Sequence, residues 1–420
     1  MGSVGDVTAY AFGHVLCNVG THPATVVSSS THHAVTTTNL YRYSVVGGAG
    51  RMVQVGQGWC FHHYCELQQA TCATCLPLGG GCAPGLGIGC SSPTNASSMG
   101  GQSFLGPRWE VNPQTGLLAD PRSLPGGDAL AGRLQVAQSD LDPSMHVSPE
   151  CFAEHVVVSF DDAGEGTHDN NASHRRVVVG ALTGGGWSLG VAASTMRESP
   201  AIEAWLALDP LNTVGAAVTV PGVGRVHVVS SVTDLGGGLW QYEYGVYNLN
   251  AARAVGSFAV PMPAATALSQ IGYTDVEYHG AGNPYTDEFW LGVRSGGMLT
   301  WSCDSFGSNP NANAIRWGTM YNFRFRANTP PASGEVTLGV FEPGTPTSFT
   351  VPGMKVPTLP PPACPGDTNG DGLTNGADLS VLLGQFGDPV PPGTVADFNG
   401  DGEVNGADLS VLLSNFGCGG

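Results

Sequence analysis

Two stretches near the C-terminus repeat one another and leave that part of the chain little choice of fold. Residues 366–387 (GDTNGDGLTNGADLSVLLGQFG) and 396–417 (ADFNGDGEVNGADLSVLLSNFG) align without a gap and agree at 16 of 22 positions. Each begins D-x-N-x-D-G and carries a further Asp at the twelfth position of the loop. Oxygen-bearing side chains at alternate positions turn to one side of a tightly curled loop. Glycine at the sixth position permits the sharp bend, because it has no Cβ to clash at positive φ. An apolar run follows each loop. Leu379, Leu382, Leu383 and Phe386 fall at i, i+3, i+4 and i+7, and Leu409, Leu412, Leu413 and Phe416 repeat the spacing. That spacing predicts a short helix with one apolar stripe. Neither helix can bury its stripe alone, so the two are expected to pack on each other.

The loop has the spacing of the EF-hand calcium loop. In the first copy Asp367, Asn369 and Asp371 offer side-chain oxygens and Leu373 a backbone carbonyl. Asn375 follows, directly or through water, and Asp378 closes the shell. The second copy gives the same roles to Asp397, Asn399, Asp401, Glu403, Asn405 and Asp408. Six or more oxygen ligands suit Ca²⁺ better than a transition metal. Residues 364–420 contain eight acids and neither Lys nor Arg. Two Ca²⁺ would bring a formal charge of −8 to −4, so folding is expected to be linked to calcium.

A complete EF-hand has a helix on both sides of the loop. Here a proline-rich connector, residues 357–363 within VPTLPPPAC, stands where the first helix would be and reads as a stiff spacer. A loop followed by one helix, used twice, resembles the type I dockerin, and the flanking Cys364 and Cys418 resemble its GC-type variant. The resemblance implies a small all-α domain over 364–420 that holds two Ca²⁺ and docks onto a cohesin-like or cell-surface protein. Type I dockerins often carry Ser-Thr at loop positions ten and eleven for that contact. Gly376-Ala377 and Gly406-Ala407 depart from the pattern, which leaves the type of partner open. The near-identity of the copies is expected to permit two docking orientations. A Cys364–Cys418 bond would stabilise the domain by roughly 4 kcal/mol on the chain-entropy model.

The preceding residues have another character. Only 11% of the chain is charged, Gly numbers 62, the formal net charge is −18 and Lys355 is the single lysine. Nucleic acid and anionic membrane surfaces are poor partners for such a chain, since both need clustered cations. No run of eighteen apolar residues offers a membrane span. Short runs rich in Val, Tyr, Phe and Thr, such as RRVVVGAL (175–182), LWQYEYGVYNL (239–249) and AIRWGTMYNFRF (314–325), are bounded by Gly, Pro, Asn and Asp. They predict antiparallel strands. The expected fold is therefore mainly β: an antiparallel β-sandwich-type module over 1–356 with a Cys-rich insert, plus the small all-α C-terminal domain. A subdivision into a Cys-rich part, 1–130, and a sandwich, 131–356, is expected within the large module. Seven of eleven cysteines precede Cys151, a density that suits disulfides in an extracellular protein. The first residues lack a basic start and a long apolar core, so an export signal is expected to have been removed or to lie upstream.

Candidate chemistry in 1–356 is sparse. G-x-x-x-x-G-K-[ST] and H-E-x-x-H are both absent. The insert 58–90 carries Cys72-x-x-Cys75 with His62, His63, Cys60 and Cys65 nearby, which reads as a disulfide-stapled loop or as a zinc or copper site. A loop at 159–173 gathers Asp161, Asp162, Glu165, Asp169, Asn170 and Asn171. It reads as a solvated turn, a third calcium site or a source of catalytic carboxylates. Glu110, Asp140, Asp142, Glu150, Glu154 and Glu277 show no pairing. Eight tryptophans are scattered through the predicted strands, as core residues or as platforms for sugars. The stretches LGPRWEVNPQTG (105–116), 239–261 and 311–325 resemble secreted bacterial proteins that end in this kind of dockerin, a likeness that implies no particular activity. The expectation is a secreted, docked protein whose large module serves adhesion, extracellular structure or glycan binding; the competing expectation is a polysaccharide-degrading hydrolase. No catalytic residue and no organic cofactor site is assigned, and polysaccharide is the expected second partner.

Overall fold

The computed structural model describes residues 2–27, 30–277, 283–358, 364–391 and 394–419. They form two compact units, Met1–Pro357 and Thr358–Gly420. Most of the expected connector lies outside the described residues.

Three antiparallel sheets stack in the large unit, and the strand Trp240–Asn248 shows how the sequence builds them. Its even positions Tyr242, Tyr244 and Val246 pair across the strand with Phe325, Phe323 and Tyr321 of Thr319–Ala327. These side chains pack against Phe258, Leu299, Trp301 and Leu338 of the back sheet in one buried cluster. Its odd positions face the other way, where Glu243 meets Arg51 and Tyr247 joins Tyr41 and Met52. Residues that alternate along a strand point to opposite faces, so a strand that is apolar on one side and mixed on the other can sit between two layers. The middle sheet has five strands, with Thr213–Val220 and Leu268–Thr274 at its edges, and so does the back sheet, with Gly292–Ser295 and Ser348–Pro357 at its edges. Aromatic pairs such as Tyr242–Phe325 and Phe258–Phe323, both at 4.8 Å between ring centroids, fill the seam. Truncating one of these rings would cost about 3–5 kcal/mol.

The front sheet has ten strands and draws on residues from both ends of 1–191. Val35–Val46 lies between Ala49–Gln57 and Val147–Val158, and Leu134–Ala137 pairs with both Val7–Tyr10 and Ala49–Gln57. The expected subdivision at residue 130 is therefore corrected, because strands from both sides of it complete one sheet. The sandwich proper begins near Thr213. Between front and middle sheets the contact is polar at its centre. Glu154, fully buried, accepts from Asn39 Nδ2 (2.8 Å), Tyr41 Oη (2.9 Å), Tyr247 Oη (2.9 Å) and the Ala201 amide (2.7 Å). Burial, followed by the Glu154 charge, pushes the Tyr41 phenol well above its ordinary range, so it stays a donor. Arg51 clasps buried Glu243 with bonds of 3.0 and 2.7 Å, although burial still raises that carboxyl. Such networks are costly to break from one side, since the remaining partner is left buried and unpaired.

Three disulfides staple the Cys-rich region: Cys17–Cys72, Cys65–Cys82 and Cys75–Cys90. Cys60, Cys151 and Cys303 are free thiols, the first two buried.

Candidate calcium centre and aromatic cleft

In the small unit the helices run Gly376–Gly384 and Gly406–Ser414, and each starts at an Asn cap. Asn375 Oδ1 accepts from the Ala377 amide at 2.7 Å while Asp378 Oδ2 accepts from the Asn375 amide at 2.9 Å, a reciprocal capping box. Asp378 Oδ1 accepts from the Thr368 and Asn369 amides at 2.9 and 3.2 Å, so this one carboxylate ties the loop's start to its end. Asp367 accepts from the Gly370 and Gly372 amides at 2.7 and 2.8 Å, which curls the loop over itself. Both glycines adopt positive φ, 77° and 85°. Oxygens of Asp367, Asp371 and Asp378 lie within 4.8 Å of one another. Three hard oxygen donors gathered this closely fit a Ca²⁺ ion. Burial pushes the Asp378 carboxyl up, but the amides of Asn375, Asn369 and Thr368 outweigh it and hold the group below its ordinary range, as an anion.

The second loop repeats the main bonds and adds one from the Asp401 amide to Asp397 at 3.2 Å, while the close cluster of three carboxylates is found in the first loop alone among the described residues. Asp408 accepts from Phe398, Asn399 and Asn405, Asp397 from Gly400 and Gly402, and Asn405 caps Ala407 at 2.8 Å. The exposed Asn369 and Asn399 each donate to the Asp two residues on, at 3.0 and 2.8 Å. Leu373 and Glu403, the residues expected to offer only backbone carbonyls, have exposed side chains. The halves interlock symmetrically, with Gly387 donating to Val404 O and Gly417 to Thr374 O, both at 2.8 Å. Cys364 and Cys418 are bonded. The predicted apolar stripe divides in two. Leu382 and Leu412 are buried with Ala396 and Val404, whereas Leu383, Phe386, Leu413 and Phe416 are about half exposed. Two nine-residue helices cover only one side of each other, so the i+4 and i+7 positions stay outside.

In the large unit a cleft with about 670 Å³ of atom-free space, mouth included, opens between the front sheet and the segment 283–319. Trp59, Trp109, Trp317 and Tyr285 line it. Trp59 and Trp109 meet edge to face at 5.3 Å, and Trp109 meets Tyr285 at 6.2 Å. Arg108 lies over the Trp317 ring at 5.7 Å and Arg316 over Tyr285 at 4.3 Å. The other five tryptophans lie outside the lining, and Trp205, Trp290 and Trp301 are fully buried core. The only carboxylate on the lining among the described residues is Glu277.

The remaining candidates are placed elsewhere. Cys72 and Cys75 are bonded to different partners, so the zinc or copper reading of that pair is corrected. Beside them lies a nest of buried histidines: His62 Nδ1 and His33 Nε2 are 2.7 Å apart, and His63 contacts Glu66 at 2.8 Å and Thr36 at 3.0 Å. His14 and His155 pack ring to ring at 5.2 Å. Burial lowers the imidazoles of His62 and His155, to about 3 and about 4. The acidic loop 159–173 forms a short helix, Phe160–Glu165, and its carboxylates diverge. Asp161 accepts from the Thr25 amide at 2.6 Å, Asp162 from Thr167 and Asn171, and Asp169 from Thr219 at 2.7 Å and Asn250 at 2.9 Å. No converging set for a third ion is found there among the described residues. Asp140 and Glu150 pair with Arg42 and Arg176, and Glu110 with Ser123.

Two capped calcium-type loops, each followed by one helix and closed by a disulfide, define a loop–helix docking module of the dockerin class. Residues 365–416 match the family model of the dockerin type I domain, and the C-terminal module is a type I dockerin. Dockerins bind Ca²⁺ and cohesins. No curated protein and no solved structure matches the chain.

Proposed function

We propose that the chain is a secreted, calcium-dependent docked protein. Its dockerin holds two Ca²⁺, one in each loop, through Asp367, Asn369, Asp371, Leu373, Asn375 and Asp378 and through Asp397, Asn399, Asp401, Glu403, Asn405 and Asp408. The observation that carries this reading is the paired loop geometry, with Asp378 and Asp408 each bridging the two ends of a loop. The exposed Leu383, Phe386, Leu413 and Phe416 supply two equivalent apolar surfaces for a cohesin-like or cell-surface partner, since exposed apolar groups of this size mark contact sites. Residues 1–357 are the displayed cargo, a non-catalytic β module for adhesion, extracellular structure or glycan binding. The engagement of Asp140, Glu150 and Glu154 in ion pairs and buried networks supports a non-catalytic module over a hydrolase with two facing carboxylates. No helix among the described residues is long and apolar enough to cross a membrane.

Metal analysis of the full chain after dialysis against trace calcium tests the reading. Two Ca²⁺ per chain are expected, falling to one in Asp378→Ala. A stoichiometry of one or none in the unaltered protein, or loss of both ions in the variant, contradicts one ion per loop.

A further inference from the structure

The aromatic cleft has a chemistry more specific than a sugar platform. Among the described residues its lining carries three guanidinium groups, Arg108, Arg133 and Arg316, against the single carboxylate of Glu277, in a chain whose formal net charge is −18. A local excess of cations on an acidic protein focuses an anionic ligand into the cleft. Arg133 is held by the carbonyls of Gly100 and Ala129, both at 2.7 Å, so its charge meets no carboxylate in those bonds. Arg316 donates to the Pro310 and Ala312 carbonyls and makes only a long ion pair, at 3.8 Å, with Glu342.

A second observation is independent of charge. Gln57 and Gln135 are direct partners across two neighbouring strands of the front sheet, and both line the cleft. Gln57 Oε1, Gln135 Oε1 and Arg316 Nε are buried without a hydrogen-bond partner. Two acceptors on the front-sheet side and a donor on the facing segment, all unsatisfied, are costly, and native structures rarely leave such groups unmatched. Amide oxygens accept from hydroxyls, and a guanidinium donates to a carboxylate. The rings supply the third element, because the C–H face of a pyranose is apolar and packs on Trp or Tyr while its hydroxyls reach outward.

We propose that this cleft binds an acidic saccharide, a pyranose chain bearing carboxylates such as a polyuronate. The ring face lies against Trp59 and Trp109, hydroxyls reach Gln57 and Gln135, and the carboxylate meets the field of Arg133 and Arg316. This rests on the reading of residues 1–357 as a glycan-binding cargo.

Affinity electrophoresis and calorimetry of the full chain in calcium test it, with polygalacturonate and a neutral β-glucan as probes. Retention by polygalacturonate alone is expected, weakening as salt rises from about 50 to about 500 mM. Trp109→Ala should weaken it about tenfold or more, with Trp109→Phe retaining most of it. Arg133→Gln should flatten the salt dependence. Thermal melts of each variant separate loss of the site from loss of the fold. Binding to neither probe, or binding that ignores Trp109, overturns the assignment of the cleft. Equal retention by the neutral glucan overturns the acidic class but leaves a glycan-binding cargo standing. The docking reading fails separately, through the calcium stoichiometry.

Discussion

The two units are held together by different physics. The large one closes on itself through a wide aromatic seam in which Tyr242, Tyr244, Phe258, Trp301, Phe323 and Phe325 are fully buried. Among the described residues the dockerin fully buries only Ala396, Leu382, Leu412 and Val404 of its apolar side chains, with Leu379, Val390, Phe398 and Leu409 partly buried around them, and it sets eight acids against no base. A core this small cannot offset the ordering of more than fifty residues. Its remaining stability has to come from what binds the acids and from the disulfide. On this argument the first region is expected to be stable as a chain and the second as a complex with calcium.

Calcium removal is the sharpest way to break that contrast. A chelator should unfold the dockerin outright, because the binding free energy of the ion is also folding free energy. The large unit should keep its thermal transition. Calorimetry of the full chain should show one transition vanish and the other stay; a common shift of both would mean that the units share their stability. Next in size is Cys418→Ser. Opening a loop of sequence separation 54 should cost the dockerin about 4 kcal/mol. The measurable result is a higher calcium concentration at the folding midpoint, with the large unit unmoved.

The two regions also differ in how much of them the sequence reveals. In the dockerin every expected ligand sits at a fixed offset from the last, so the two loops and the helix after each follow from spacing. What spacing does not reveal is the width of the opposing surface, and so Leu383 and Phe386 were expected inside with Leu382. In the large unit, strand runs and antiparallel character are legible because residue alternation is local. The third layer is not, since it depends on residues 35–57 returning to pair with 134–158. The cleft is assembled from Gln57, Trp59, Trp109, Gln135 and Trp317, which no local pattern connects. One signal was present: both Arg-Trp dipeptides, Arg108-Trp109 and Arg316-Trp317, line it.

Acidification should separate the regions in the opposite sense to chelation, with a somewhat smaller effect. His155 is lowered from its ordinary 6.5 to about 4 by burial. The unfolded chain therefore binds a proton between those values that the folded chain does not, and stability falls as pH drops through 6.5 towards 4. For this one histidine the loss is about 3 kcal/mol by pH 4, and His62, lowered to about 3, adds to it. Urea midpoints of the large unit between pH 7 and pH 4 check this, and His155→Phe should flatten the slope. A pH-independent midpoint would mean that the buried histidines are hydrated or already charged.

The smallest effect bears on why the dockerin depends on its ion. Both helices start with Gly, at Gly376 and Gly406, in the first helical position after the Asn cap. A Cβ at either glycine meets nothing within 4 Å, and neither has positive φ. Alanine there should stabilise each helix by about 0.5 kcal/mol by narrowing the unfolded ensemble. Helices of nine residues remain far from stable alone. The double variant Gly376→Ala, Gly406→Ala should therefore fold at slightly lower calcium yet stay unfolded in chelator, as read by helical circular dichroism. Helix recovered without calcium would show that backbone propensity, rather than repulsion among Asp367, Asp371, Asp378 and their counterparts, is what keeps the ion-free domain open.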